Sequence, residues 1–285
     1  MIKKRLTPLL ASAAAAVGVA TSPAVVTTVA KELRAQGQVT ERLLLLTALN
    51  TVYAFLAVTM LFTWLHLEYR GGWLAVLAHP LYLIAGSLLL AFVAAAVTVR
   101  LLQALRRSEE TQFILVVAMV VLAVTLAVST KLSVPIALLA FGAFTRLLDR
   151  QRKFVSLSFG RGGLLFVVML FALTGAGLDL TLLFAPGTLF TALAFIAARF
   201  AGKAVAVFAL ATPSALDLRK ASLLSIGLLP MAGLAVVMVQ DTSVVYPEFG
   251  AKLGSVVLAA VAFLELLGPL AAHFALRRAG EAQEG

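Results

Sequence analysis

Cysteine is absent from this sequence, so neither disulfides nor thiolate metal sites are available to it. Histidine is scarce. His66, His79 and His273 share no metal-ligand spacing and read as groups near helix ends at a membrane interface. Acids are few as well: thirteen Asp and Glu stand against twenty-three Lys and Arg. A surplus of ten positive charges would suggest nucleic acid in a soluble protein. Here membrane topology accounts for it, and no nucleic-acid partner is expected. No nucleophile, metal-ligand or nucleotide motif is present, so the reading contains no enzyme activity, no cofactor and no bound metal.

What the chain does have is apolar surface. Its 285 residues are 62% hydrophobic and 13% charged, with a mean hydropathy of +1.04. Apolar segments of about 20 residues recur from end to end between short polar loops, the pattern of a polytopic helical membrane protein. Nine such helices are expected, near 8–30, 42–66, 73–105, 111–130, 132–148, 159–176, 186–211, the interrupted stretch around 225–240, and 249–276. The basic start, Met1 to Arg5, followed by small residues, has the outline of a signal peptide. The apolar run continues past Pro23 into further membrane helices, which favours a first span. Alternating the helices across the bilayer collects most Lys and Arg on one side. The positive-inside rule makes that side cytoplasmic, with the C-terminus inside and Lys3, Lys4 and Arg5 as the misfit outside.

Two of these segments are broken. Residues 225–240, SIGLLPMAGLAVVMVQ, contain Gly227, Pro230 and Gly233; residues 20–26, ATSPAVV, contain Thr21, Ser22 and Pro23. A broken helix exposes backbone dipoles that lipid cannot satisfy, so it is tolerated only inside protein or beside a water-filled cavity. Paired breaks in the two halves of a chain point to a secondary transporter's binding site.

Charges inside the spans carry the rest of the reading. Arg199 and Lys203 lie four residues apart and share a helix face. A cation at the helix centre costs roughly 2.5–3.5 kcal/mol on insertion scales and marks function by default. Lys203 lies near enough to the helix end to snorkel; Arg199 lies a turn deeper. Glu265, beside Gly268 and Pro269, reads either as a proton-titrating group or as a carboxyl hydrogen-bonded between helices. Thr47, Asn50 and Thr51 form a polar stripe, which by itself more often joins helices than binds ions. Asp179 and Asp241 are expected to cap or end helices.

Taken in order, ATSPAVV, the loop ELRAQGQVTERLL, LTALNTVYAF, LTGAGLDLTLLF, the Arg199 helix with RFAGK, and GLLPMAG resemble the monovalent cation:proton antiporters of the sodium/hydrogen exchanger superfamily over nearly the whole chain. The resemblance implies an all-α, inverted-repeat fold in which two unwound helices cross in a core domain beside a homodimerising scaffold. It implies residues 1–66 as the first part of the core, 67–110 as a long connector, 111–180 as scaffold helices and 181–285 as the second part of the core. The family's first three helices have no counterpart here, so the chain looks N-terminally truncated.

One departure bears on chemistry. The family's helix after the first break carries Asp-Asp or Asn-Asp, whose last carboxylate binds cation and proton in turn. Here Asn50 is followed by Thr51, and a threonine carries no proton across a physiological pH range. The expected function is a Na+ or K+:proton antiporter of the bacterial inner membrane, working by alternating access. Its expected site residues are Thr21, Ser22, Pro23, Asn50, Thr51, Arg199, Lys203, Gly227, Pro230, Gly233 and Glu265. The alternatives are an uncoupled or anion carrier, with Arg199 unpaired, and a non-transporting relative that modulates a partner.

Overall fold

The computed structural model describes residues 2–70, 73–104, 109–149, 169, 186–231, 233–245 and 247–283. Asp179 and all but one residue of the helix expected over 159–176 lie outside the described residues. Ten helices and no strand are found among those described: α1 (Ile2–Gly18), α2 (Pro23–Glu32), α3 (Gln38–Arg70), α4 (Trp73–Ala104), α5 (Glu109–Ser129), α6 (Val134–Leu148), α7 (Pro186–Ala209), α8 (Leu218–Gly227), α9 (Gly233–Val245) and α10 (Pro247–Arg278). Six stretches among them are long and apolar enough to cross a membrane, the first formed by α1 and α2 together. The protein is a polytopic helical membrane protein.

Both expected breaks are present, and each follows from its own residues. Pro23 cannot extend α1, because it lacks an amide and its ring clashes with the preceding turn. It can open α2, where the missing amide costs nothing. Ser22 takes an extended conformation and caps α2 by accepting a bond from the Val25 amide at 3.4 Å. Pro230 likewise stops α8, and the chain resumes as helix at Gly233. Asp241, expected to end the helix after this break, lies inside α9, which continues to Val245. With no proline or glycine in the next five residues, a single aspartate does not stop an apolar helix.

The chain divides into two compact units, residues 1–58 with 167–285 and residues 59–166. In the second, α4, α5 and α6 pack against one another through Ala91, Ala94, Ala95, Met119, Ala123, Ala140 and Phe141. Phe92 and Phe144 meet edge to face at 5.6 Å. The abundance of alanine lets backbones approach closely, as helix packing in lipid requires.

In the first unit α10 is the central element, touching α1, α2, α7, α8 and α9. Val26, Val39, Leu43, Leu224, Ala272 and Leu276 bring four helices and the turn at Ala211 into one core. Two glycines allow the closest approaches to the breaks. A Cβ on Gly227 would stand 3.0 Å from a Leu43 methyl, and one on Gly268 would stand 3.0 Å from the Pro230 Cα. The second neighbour is backbone and cannot turn aside. Gly268→Val is therefore expected to destabilise the protein by about 1–3 kcal/mol, the usual cost of overpacking. The check is a lowered Tm in detergent; an unchanged Tm would mean that α10 does not press on the break.

Candidate ion-binding site

The two breaks meet. The Ser22 amide donates to the Pro230 carbonyl at 3.0 Å, joining the unwound chain after α1 to the unwound chain after α8. Two helix C-termini end at this crossing, and their last carbonyls have no intrahelical partner. Each end also carries about half a negative charge from its aligned peptide dipoles. The crossing is thus a concentration of uncommitted oxygen within the hydrophobic part of the chain.

α7 fills it with cations. Arg199, only 7% exposed, donates from Nε to the Gly18 carbonyl at 2.9 Å and from one terminal nitrogen to the Leu229 carbonyl at 2.7 Å. Its other terminal nitrogen donates to the carbonyls of Ala20 (2.6 Å), Pro230 (3.2 Å) and Leu228 (3.5 Å). The planar fork of a guanidinium can reach both chain breaks at once, which a point-like ammonium cannot. One turn on, Lys203 does not snorkel outward. Its Nζ donates to Thr21 Oγ1 at 2.6 Å, the Ala20 carbonyl at 3.2 Å and the Leu228 carbonyl at 3.3 Å, using all three donors of an ammonium. Among the described residues, every partner of both cations is an uncharged oxygen. The two C-terminal half-charges balance one cation, so among the described residues the second is held by oxygen dipoles alone.

α3 closes the site from the side. Asn50 Nδ2 donates to Thr21 Oγ1 at 3.0 Å. Thr51 Oγ1 bonds the Thr47 carbonyl at 3.0 Å and stands 3.5 Å from the Thr21 carbonyl. Thr21, Thr47 and Thr51 are buried, and the Thr47 hydroxyl oxygen has no hydrogen-bond partner among the described residues. A cavity of about 430 Å³ reaches Asn50 and Lys203 past Leu45, Leu46, Val207 and Leu228, with Arg42 and Ser214 also in its wall. Arg42 is tied there by a bond from its guanidinium to the Ser214 carbonyl.

The structure therefore gathers Thr21, Ser22, Asn50, Thr51, Arg199, Lys203 and Pro230. Pro23 and Gly233 act as helix starts, and Gly227 as a packing surface for Leu43. Glu265 lies half-buried on α10, one turn before Gly268, with Oε1 buried and without a hydrogen-bond partner among the described residues. No hydrogen bond among the described residues joins it to the crossing. Side-chain chemistry could not have shown the oxygens of Gly18, Ala20, Leu228 and Leu229, which are backbone atoms. The signal for them was the pair of breaks together with cations at i and i+4.

Two crossed breaks lined by backbone carbonyls and reached by a cavity fit the general pattern of a secondary transporter's site. A family model described as Sodium/hydrogen exchanger, transmembrane, matches residues 5–277. The chain belongs to the sodium/hydrogen exchanger family. It is a multi-pass membrane transporter rather than an enzyme, and the family's activity is exchange of a cation for a proton. A search of curated proteins returned no match.

Proposed function

We propose that this exchanger is a monovalent cation:proton antiporter in which Lys203 and the transported cation compete for one set of oxygens. The observation that carries the reading is the three-oxygen seat of the Lys203 ammonium: Thr21 Oγ1 and the carbonyls of Ala20 and Leu228. Carbonyl and hydroxyl oxygens replace the hydration shell of Na+ or K+ in the same way. Lys203 is thus a tethered cation in a cation site. Loss of its proton into the cavity frees the oxygens, and a metal ion takes them. One positive charge replaces another, so the site keeps its total charge with one proton exchanged per cation. After the core reorients, the ion leaves and the proton returns to the amine.

Asn50 and Thr51 add neutral oxygen chemistry but carry no proton. Arg199 keeps its proton at every working pH and, being spent on carbonyls, offers no free fork to an anion; this favours the cation reading. The excess of Lys and Arg in the loops supports a cytoplasmic C-terminus, and the membrane we assign is the bacterial inner membrane. The test is a proteoliposome assay with a trapped pH dye under an imposed pH gradient. Addition of Na+ or K+ should move protons in the opposite direction without a requirement for membrane voltage. No proton movement with either ion would overturn the proposal.

A further inference from the structure

The residues after α10 turn back into the fold. Gly280 adopts φ 72°, and Glu281, 9% exposed, lays its carboxylate on the start of α3. Oε1 accepts from the Val39 amide at 2.9 Å; Oε2 accepts from the Thr40 amide and the Thr40 hydroxyl, each at 2.8 Å. Two backbone bonds flank this contact, from the Gln36 amide to the Glu281 carbonyl at 2.9 Å and from the Gln283 amide to the Leu33 carbonyl at 3.0 Å. The first amides of a helix lack intrahelical acceptors, and the residue just before the helix usually supplies one. Here that residue is Gly37, which has no side chain. A Cβ at Gly37 would overlap the Glu281 carboxylate. The cap of α3 therefore comes from more than 240 residues away in sequence.

A local cap would serve the helix equally well, so the distant origin of this one needs a further reason. α3 carries Asn50 to the crossing, about 15 Å along its axis from Thr40 at the rise of an α-helix. α10 carries Gly268, which packs on Pro230 at the second break. The Glu281 bonds tie the start of α3 to the end of α10. Bonds from Gln38 to the Ala215 carbonyl, from Lys220 to Gln38 and from Arg219 to the Arg278 carbonyl tie the turn before α8 and the start of α8 to the same corner.

We propose that Glu281 is a positioning residue for cation exchange. It sets the register of α3 against α8 and α10, so that Asn50 meets Thr21 and the oxygens around Lys203 stay in place. The proposal rests on the reading of that site as the exchange site, and two measurements separate their failures. The first compares Glu281→Ala and Glu281→Gln with the parent protein in proteoliposomes. Loss of outer support for an ion's ligands typically weakens affinity about 10–100-fold. The KM for the cation should rise in that range for Glu281→Ala, with the maximal rate retained. Glu281→Gln, which keeps one acceptor oxygen, should fall between. An unchanged KM, or a fall in rate alone, overturns the positioning role.

The second measurement needs no transport. The chain has no cysteine, so a Leu43→Cys, Gly227→Cys pair is the only one present, and replacing Leu43 removes the methyls that a Cβ at Gly227 would meet. Oxidation should cross-link α3 to α8 efficiently with Glu281 intact and poorly with Glu281→Ala. Equal cross-linking overturns the proposal whatever the transport assay gives. Loss of cross-linking in a protein whose parent moves no ions would instead leave the register role standing and reject the exchange site.

Discussion

Arg199→Gln should leave a protein that neither transports nor keeps its stability. Among the described residues, the carbonyls of Gly18 and Leu229 bond to Arg199 and to nothing else in the crossing. A buried acceptor left without a donor costs about 1–3 kcal/mol, so the two together cost about 2–6 kcal/mol. The carbonyls of Ala20 and Leu228 keep Lys203, and that of Pro230 keeps the Ser22 amide, which is why the loss is not larger. Two helix C-termini also lose the full charge that faced their dipoles, a contribution of up to about 2 kcal/mol at a partly buried terminus. Arg199→Lys restores the charge without the fork and should recover only part of the stability. Thermal unfolding in detergent, followed with purified variants, checks the order parent, Lys variant, Gln variant. Equal melting of all three would show that the guanidinium does not hold the crossing together.

The second large effect falls on Lys203. Lys203→Met is similar in length and carries no exchangeable proton. Ala20 and Leu228 still receive bonds from Arg199, so this variant should fold and be recovered like the parent. What it should lose is the dependence of cation binding on pH. In the parent, acidification protonates Lys203 and returns the ammonium to the oxygens, so apparent cation affinity weakens by about tenfold per pH unit where the amine is protonated, as simple competition requires. The Met variant should bind the cation with a flat pH profile and move it without proton counterflow. Lys203→Arg keeps a charge that cannot be released and should block binding instead. Titration of cation binding across pH in the three proteins checks this. A Met variant with the parent's pH dependence would remove Lys203 from the proton pathway.

Much of this site was legible from the chain because its causes are local. A proline stops a helix within one turn of itself, so the breaks at Pro23 and Pro230 could be placed to a residue or two. Arg199 was legible because charge in an apolar helix is costly wherever the helix goes. The direction of Lys203 was not, since outward stretching and inward bonding are both open to a flexible stem until the neighbouring carbonyls are known. Those carbonyls carry no residue signature. Glu281 was hidden for a different reason: its partners lie at the other end of the sequence, and the glycine it replaces as a cap reads only as a turn. Asp241 misled because an acid in an apolar stretch suggests a boundary, whereas the helix around it continues. Glu265 stood out by the same cost argument as Arg199, yet no hydrogen bond among the described residues brings it into the crossing.

That contrast between Lys203 and Glu265 gives the most direct test. Purified protein in lightly buffered detergent, with a pH indicator in solution, is titrated with Na+ or K+ and the protons released per cation bound are counted. The account predicts about one proton per cation from the parent, the same from Glu265→Gln, and none from Lys203→Met, as direct competition at one site demands. Release that persists in Lys203→Met and disappears in Glu265→Gln would contradict it, and would place the exchanged proton on α10 rather than at the crossing.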